Sequence, residues 1–434
     1  MLRAEPQYYG TYVAFDHTRT RTEFLTSQEF KILTYLSGRA ASIEKVANET
    51  KIKKGECAKF LKQAAKLDLV RKSETSTQPS PPRSTDVSSE FYARFPIPIL
   101  SAPSSVDLFI TSRCNLKCIH CFSTTREAVD LSFEEVESIL DQLEQAGVLE
   151  LRINGGEPLL HPDIGRILQT LERRRFLKVI LTNGTLISDA LAKQLKKSNV
   201  IPTVSLDDSE AQGHDAFRGT AGTFEKTLAG LKVLVNNKVV YGINCCLHTK
   251  NLSRIERIVN FAETLGACRI AFLSLKPLGR MSQHAEWMLS PKEYEAALPR
   301  LLATKAKHRW IDVSLDSFLS CPVLKEAVVE AKKGYVSCRA GRTIMSIFSD
   351  GWAYPCNSVV GDLKWRMGNL RKETLTDIWF SRNWAFFRGA VKKADLKRCR
   401  RCEQMDVCRD FYCRLLPYAT SGNALGPSPA CSST

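Results

Sequence analysis

The chain of 434 residues has no run of about 18 consecutive apolar residues, the length a helix needs to cross a bilayer, so no membrane partner is expected. Its first ten residues, Met-Leu-Arg-Ala-Glu-Pro-Gln-Tyr-Tyr-Gly, lack the apolar core of a secretion signal, and the expected location is cytoplasmic. Acidic residues are scarce, 46 Asp and Glu against 62 Lys and Arg, giving a net charge of +16. Such basicity invites a polynucleotide partner, but residues 321–434 alone hold 19 Lys and Arg against 10 Asp and Glu. That stretch is also cysteine-rich, and thiolate-bound clusters carry negative charge that nearby cations offset. Part of the basicity is therefore internal compensation; the remainder suits an acidic peptide or a polynucleotide, of which nucleic acid is the less expected partner. Cysteine itself is plentiful: 15, an odd number, which argues against a secreted disulfide framework and for reduced thiols that serve metal.

Residues 1–72 read as a small separate module. Tyr8–Phe15 and Thr22–Leu25 suggest a strand pair across Asp16-His17-Thr18-Arg19. Helical patterns follow at Gln28–Leu36, Ile43–Glu49 and Gly55–Leu67, the last carrying an apolar stripe of Phe60, Leu61, Ala64, Ala65 and Leu67. Strands followed by three helices predict a winged-helix-like unit. Residues 73–104, dense in Pro and Ser, read as a linker, solvated at least to Glu90.

From residue 105 to 320, short apolar strands alternate with amphipathic helices. The strand candidates are Val106–Ile110, Leu149–Ile153, Lys178–Thr182, Ile201–Leu206, Val239–Leu247 and Arg269–Leu275. Between them, Phe133–Gln145 starts on a capping box, Ser132 with Glu135, and Thr223–Asn236 is a second clear helix. Six βα units predict an α/β fold with a parallel sheet, a partial (β/α)6 TIM-like barrel.

After the first strand comes Thr-Ser-Arg-Cys-Asn-Leu-Lys-Cys-Ile-His-Cys-Phe, which places Cys114, Cys118 and Cys121 in C-x₃-C-x₂-C spacing. Three thiolates on one short loop can hold three irons of a [4Fe–4S] cube and leave the fourth iron without a protein ligand. Zinc or buried thiols are the plainer readings, though zinc sites usually use four ligands with a longer spacer. After the second strand stand Gly155, Gly156, Glu157 and Pro158; paired glycines let backbone approach a ligand closely, and the carboxylate can accept from an ammonium group. The fourth strand ends in Ser205-Leu206-Asp207-Asp208, followed by His214-Asp215-Ala216-Phe217-Arg218-Gly219, and the sixth strand precedes Pro277-Leu278-Gly279-Arg280.

In this order and spacing the segments resemble the radical S-adenosylmethionine (radical SAM) superfamily. The resemblance implies that the open iron of the cube at Cys114, Cys118 and Cys121 chelates SAM and cleaves it to a 5′-deoxyadenosyl radical. It implies further that Gly155, Gly156, Glu157 and Pro158 contact the SAM amino end, that Ser205 and Asp207 lie near its ribose and methionine portions, and that Arg218 pairs with its carboxylate. A surface salt bridge is the plainer reading of Arg218. Asp208 stands where relatives carry Gly. His120 is expected to offer backbone rather than act as an acid or base, and no residue is assigned as catalytic base.

Downstream, Cys338 and Cys356 bracket Gly351, and Cys399, Cys402, Cys408 and Cys413 follow in C-x₂-C-x₅-C-x₄-C spacing before Cys431. This resembles the SPASM extension, with one internal gap of four residues where the family has three. The resemblance implies two auxiliary [4Fe–4S] clusters, one on Cys338, Cys356 and Cys413, the other on Cys399, Cys402, Cys408 and Cys431. The first lacks a fourth ligand, which either Cys321 supplies or an iron open to the substrate replaces, and zinc is the plainer alternative. The clusters would replace much of the core that so short a tail could not build. Cys245, Cys246 and Cys268 read as buried core thiols and Cys57 as inert.

The implied protein is a radical SAM/SPASM enzyme acting on a peptide or protein. The N-terminal unit is similar to leader-peptide recognition modules, in which a leader adds as a strand to a sheet edge. A ribosomally made precursor peptide is the preferred substrate, receiving a crosslink, thioether or oxidation, with flavodoxin or ferredoxin as electron donor. Sulfatase maturation, tetrapyrrole chemistry and a DNA-binding iron–sulfur or zinc regulator are the alternatives.

Overall fold

The computed structural model of the chain describes residues 2–5, 11–16, 21–25, 32, 41–66, 97, 99–122, 128–308, 310–315, 334–336, 338–359, 361–396, 398–402, 413–427 and 431. At the N-terminus, β1 (Leu2–Glu5), β2 (Thr11–Asp16) and β3 (Arg21–Leu25) form an antiparallel sheet in that order, with Val13 opposite Phe24. The strand pair read from the sequence is present, joined by an additional first strand. Helices α1 (Ile43–Thr50) and α2 (Lys54–Lys66) follow. Of the helix read at Gln28–Leu36, all but Ile32 lies outside the described residues. Ile32, Val46, Ala47, Ile52 and Cys57 form a small apolar cluster of their own.

The main sheet starts at β4 (Ser105–Thr111), whose seven residues are all buried, the near-continuous apolar run of a parallel strand covered on both faces. β5 (Glu150–Gly155), β6 (Leu177–Thr182), β7 (Val200–Ser205), β8 (Gly242–Leu247) and β9 (Arg269–Ser274) follow in parallel register, so all six strands read from the sequence pair as neighbours. α3 (Phe133–Gln145) occupies the predicted residues, and both halves of its capping box are made: Glu135 N–H donates to Ser132 Oγ (3.1 Å), and Ser132 N–H to Glu135 Oε2 (2.8 Å). α4 (Ile164–Leu171), α5 (Asp189–Lys197), α6 (Ala211–Arg218), α7 (Thr223–Asn236), α8 (Ile255–Thr264) and α9 (Pro291–Lys307) complete the crossovers.

The sheet extends beyond six strands at both edges. β10 (Asp312–Leu315) adds parallel to β9, and β11 (Ile344–Ile347), from the cysteine-rich tail, adds parallel to β4 with Met345 opposite Val106. β12 (Trp352–Tyr354) and β13 (Gly368–Asn369) continue antiparallel, so the order is β10-β9-β8-β7-β6-β5-β4-β11-β12-β13. α10 (Leu375–Phe380) and α11 (Leu415–Ser421) belong to the tail. Tyr354, Trp365, Met367, Trp379 and Trp384 lie in the same contiguous core as Val106 and Leu151. The tail therefore shares the barrel's core, which corrects the expectation that clusters would largely replace one. Ile97, Ile99 and Leu100, at the end of the segment read as linker, are buried, and Trp379 Nε1 donates to Leu100 O (2.9 Å).

Candidate active site

The cysteine loop leaves the C-terminal end of β4, and three glycines from distant segments hold its backbone. A Cβ on Gly156, at the end of β5, would lie 2.6 Å from Ser112 O and closer still to Arg113 O. One on Gly219, after α6, would run into Lys117 O, and one on Gly279 would sit 2.5 Å from Cys121 O. Arg280 clasps the same stretch: its N–H donates to Cys121 O (3.0 Å) and its Nε to Cys118 O (2.8 Å). Asn115 ties the loop to the end of β6, accepting from Asn183 Nδ2 (2.9 Å) and donating to Thr185 Oγ1 (2.9 Å). Gly156, the second of the paired glycines, thus brings backbone onto the cysteine loop itself.

Cys114 is exposed, Cys118 buried and Cys121 half-buried, and none forms a disulfide. Although Cys114 reaches the surface, the protein packed around its sulfur pushes the thiol up to about 11, with the neighbouring charges of Cys118, Glu157 and Cys121 adding to it. Burial raises Cys118 as well, opposed by Arg218, whose Nη1 lies 3.9 Å from Cys118 Sγ. Three thiols that sense one another's charge beside a buried guanidinium fit an anionic iron–sulfur cube, since cationic groups stabilise the thiolates that ligation requires. Among the described residues, no three His, Cys, Asp or Glu side chains close on a single-ion site.

Glu157 is buried at the head of the turn Pro158–Leu160. Its oxygens accept from Thr182 Oγ1 (2.6 Å), Asn183 N–H (2.7 Å) and Leu159 N–H (3.2 Å). Burial nevertheless raises the carboxyl to about 7, against those donors and Arg218. A carboxylate has about four acceptor positions, so room remains for an ammonium group.

Asp207 and Arg218 meet directly: Arg218 Nε donates to Asp207 Oδ2 (2.6 Å), with both side chains buried. Burial alone would raise Asp207, but Arg218, then His120 and His214, hold it down to about 2. Arg218 is therefore no surface ion pair; it joins Asp207 to the Cys118 thiol. His214 Nδ1 accepts from Asp207 N–H (3.2 Å), and Asp207 Oδ1 accepts from Cys246 N–H (2.9 Å). Ser205, two residues before Asp207, ends β7 and is half-buried. Asp208 is fully buried and forked by Arg254, whose Nε donates to Oδ1 (3.0 Å). A Cβ on Gly213 would collide with the Asp208 carboxylate, so a glycine on α6 makes room for it.

An aromatic column flanks this group. His120 stacks on Phe217 at 4.2 Å, and His248 stacks on Phe217 at 4.6 Å and meets Trp287 edge-on at 5.0 Å. Burial holds His120 down to about 3 and His248 and His214 to about 4. All three rings are neutral at pH 7. Phe217 stands within the sequence segment His214–Gly219 but no role falls to it there, and His248 belongs to no sequence motif.

In the tail, Cys338, Cys356 and Cys413 influence one another electrostatically, burial pushing Cys338 up to about 12 and raising Cys356. Each of the three thus lies within electrostatic reach of the others. Cys399 and Cys402 share one 3₁₀ turn, where Cys402 N–H donates to Cys399 O (2.9 Å), and pack on Val336, Val391 and Leu396. Cys431 is half-buried; Cys408 and Cys321 lie outside the described residues. Cys245 is buried, as read, but Cys268 is exposed, its Sγ near Tyr241 O (3.1 Å), which corrects its reading as a core thiol.

Comparison with known proteins agrees with this geometry. Residues 108–262 match the radical SAM superfamily and residues 338–403 the SPASM iron–sulfur cluster-binding domain. An AdoMet-dependent heme synthase of Methanosarcina barkeri is 31% identical over 357 residues, covering 77% of this chain and 98% of that protein. The chain belongs to the radical SAM superfamily. It is a radical SAM/SPASM enzyme, and its cofactors are SAM and iron–sulfur clusters. A mycofactocin maturase MftC of Mycobacterium ulcerans is 28% identical, covering 76% of this chain and 88% of that protein. Streptococcus suis SuiB bound to its precursor peptide SuiA superposes with a TM-score of 0.71 at 18% identity, covering 100% of this chain and 98% of that one, a likeness of fold. No helix among the described residues is long and apolar enough to cross a membrane.

Proposed function

We propose that this radical SAM/SPASM enzyme modifies a ribosomally made precursor peptide. Cys114, Cys118 and Cys121 would hold the SAM-binding [4Fe–4S] cluster, with Gly155, Gly156, Glu157, Pro158, Ser205, Asp207 and Arg218 around SAM. Cys338, Cys356 and Cys413, and separately Cys399, Cys402, Cys408 and Cys431, would hold two auxiliary clusters. When bound, the first cluster supplies the electron that splits SAM and so generates the hydrogen-abstracting 5′-deoxyadenosyl radical. The chain's own contribution is to fix the loop through Gly156, Gly219 and Gly279, to hold Arg218 charged through Asp207, and to keep His120, His214 and His248 neutral. Flavodoxin or ferredoxin would supply electrons.

The observation that carries the peptide reading is the N-terminal three-stranded antiparallel sheet followed by helices. The heme synthase is matched over nearly its whole length while about a quarter of this chain stays outside the match. An open sheet edge is the element a leader peptide extends by backbone hydrogen bonds. A second reading, radical chemistry on an iron tetrapyrrole, is favoured by the identity to the heme synthase itself.

One experiment separates them. Full-length, anaerobically reconstituted protein is incubated with reductant, SAM, and either synthetic peptides encoded by short neighbouring reading frames or an iron coproporphyrin. The peptide reading expects 5′-deoxyadenosine release and a mass change in a peptide, both lost when residues 1–72 are removed. Turnover on the porphyrin alone, unaffected by that deletion, would overturn it.

A further inference from the structure

One short segment touches both cysteine sites. After β9 ends at Ser274, residues 276–280 run Lys-Pro-Leu-Gly-Arg along the catalytic edge of the sheet. Their C-terminal end grips the first cysteine loop, with Gly279 against Cys121 O and Arg280 bonded to Cys118 O and Cys121 O. Their N-terminal end reaches the tail: Lys276 Nζ donates to Ser358 Oγ (3.1 Å). Ser358 lies in the 3₁₀ turn Asn357–Val359 directly after Cys356, and the Lys276 charge and the Ser358 N–H and hydroxyl all favour the thiolate of Cys356 against burial. Helix α11, which follows Cys413, packs on that same turn.

We infer that Lys276 is a positioning residue for the first auxiliary site: through Ser358 it orients the donors to Cys356 sulfur and so sets the reduction potential of the cluster held there. The inference rests on the proposed assignment of Cys338, Cys356 and Cys413 as its ligands. Hydrogen bonds to ligand sulfur and nearby positive charge both favour the reduced, more negative form of an iron–sulfur cluster. Lys276 supplies charge directly and fixes the hydroxyl that supplies a bond. Because residues 276–280 are also wedged against the first loop, the barrel strand that shapes the SAM site delivers this cation to the tail.

The test is an EPR-monitored redox titration of the full-length reconstituted protein, as wild type, Lys276→Met, Lys276→Arg and Ser358→Ala. Lys276→Met and Ser358→Ala should both lower the midpoint potential of one auxiliary signal, with the double variant shifting less than the sum of the two. Lys276→Arg should largely restore it, and the SAM-responsive signal should keep its potential throughout. Auxiliary signals that are present but unmoved in Lys276→Met would overturn the inference. Absence of any auxiliary signal from wild type, together with an iron content matching one cluster, would instead overturn the underlying assignment of the tail cysteines.

Discussion

At Gly156 the requirement is space, since Ser112 and Arg113 carbonyls occupy the volume a methyl group would need. Gly156→Ala must push the cysteine loop off the end of β5. We expect it to lose most of the iron bound at Cys114, Cys118 and Cys121, measured as iron content in a variant whose tail cysteines are replaced. Gly165, on α4, has nothing within 4 Å of where its Cβ would stand. Gly165→Ala should instead stabilise the protein by about 0.5–1 kcal/mol, the helix-propensity difference, and retain iron. Asp207 and Arg218 present a different case, a buried charge pair. Arg218→Met strands a carboxylate in the core and should cost about 3–5 kcal/mol. Adding Asp207→Asn removes that charge, so the double variant should recover much of the loss. A double-mutant cycle by denaturant unfolding reads the coupling, and additive losses would contradict it.

At the level of elements, the tail is bound to the barrel by backbone pairing. β11 covers the β4 edge, and Trp379 hydrogen-bonds Leu100 O. Deleting residues 338–434 would bare that edge together with the apolar surface under Trp379 and Trp384, a template for aggregation. We expect such a truncation to be insoluble on expression, whereas deletion of residues 1–72 should leave a soluble barrel; the soluble fraction after centrifugation decides it. The six central strands were legible because fully buried parallel strands read as apolar runs between helices with clear caps, as at Ser132 and Glu135. β11 was not, because Ile344-Met-Ser-Ile is short and its partner, β4, lies more than two hundred residues earlier. The cysteine spacings and Gly155 to Pro158 were legible as local motifs. The roles of Gly219 and Gly279 in holding the loop, the stacking of Phe217 with His248, and the tie from Lys276 to Ser358 depend on contacts between distant segments, and no local pattern encodes them.

Across the whole molecule, buried ionisable groups around the site set how metal-free protein responds to acid. His120, His214 and His248 are held at about 3, 4 and 4 by burial, below the ordinary value near 6.5. Their contribution to stability is complete above about pH 6.5 and is lost as pH falls towards 4, because the unfolded chain binds protons that the folded chain refuses. Glu157 works in the opposite sense: with its carboxyl raised to about 7, the folded chain holds a proton there that the unfolded chain releases above about pH 4.5. Near pH 5 the unfolded state thus binds about two protons more, which corresponds to a slope of about 3 kcal/mol per pH unit. The unfolding midpoint of the apo protein should therefore fall steadily from pH 7 to pH 5. Glu157→Gln removes the opposing group, so its midpoint should fall more steeply over the same range. A flat profile in the wild type, or the same slope in both proteins, would show that these four side chains are not buried together as the structure places them.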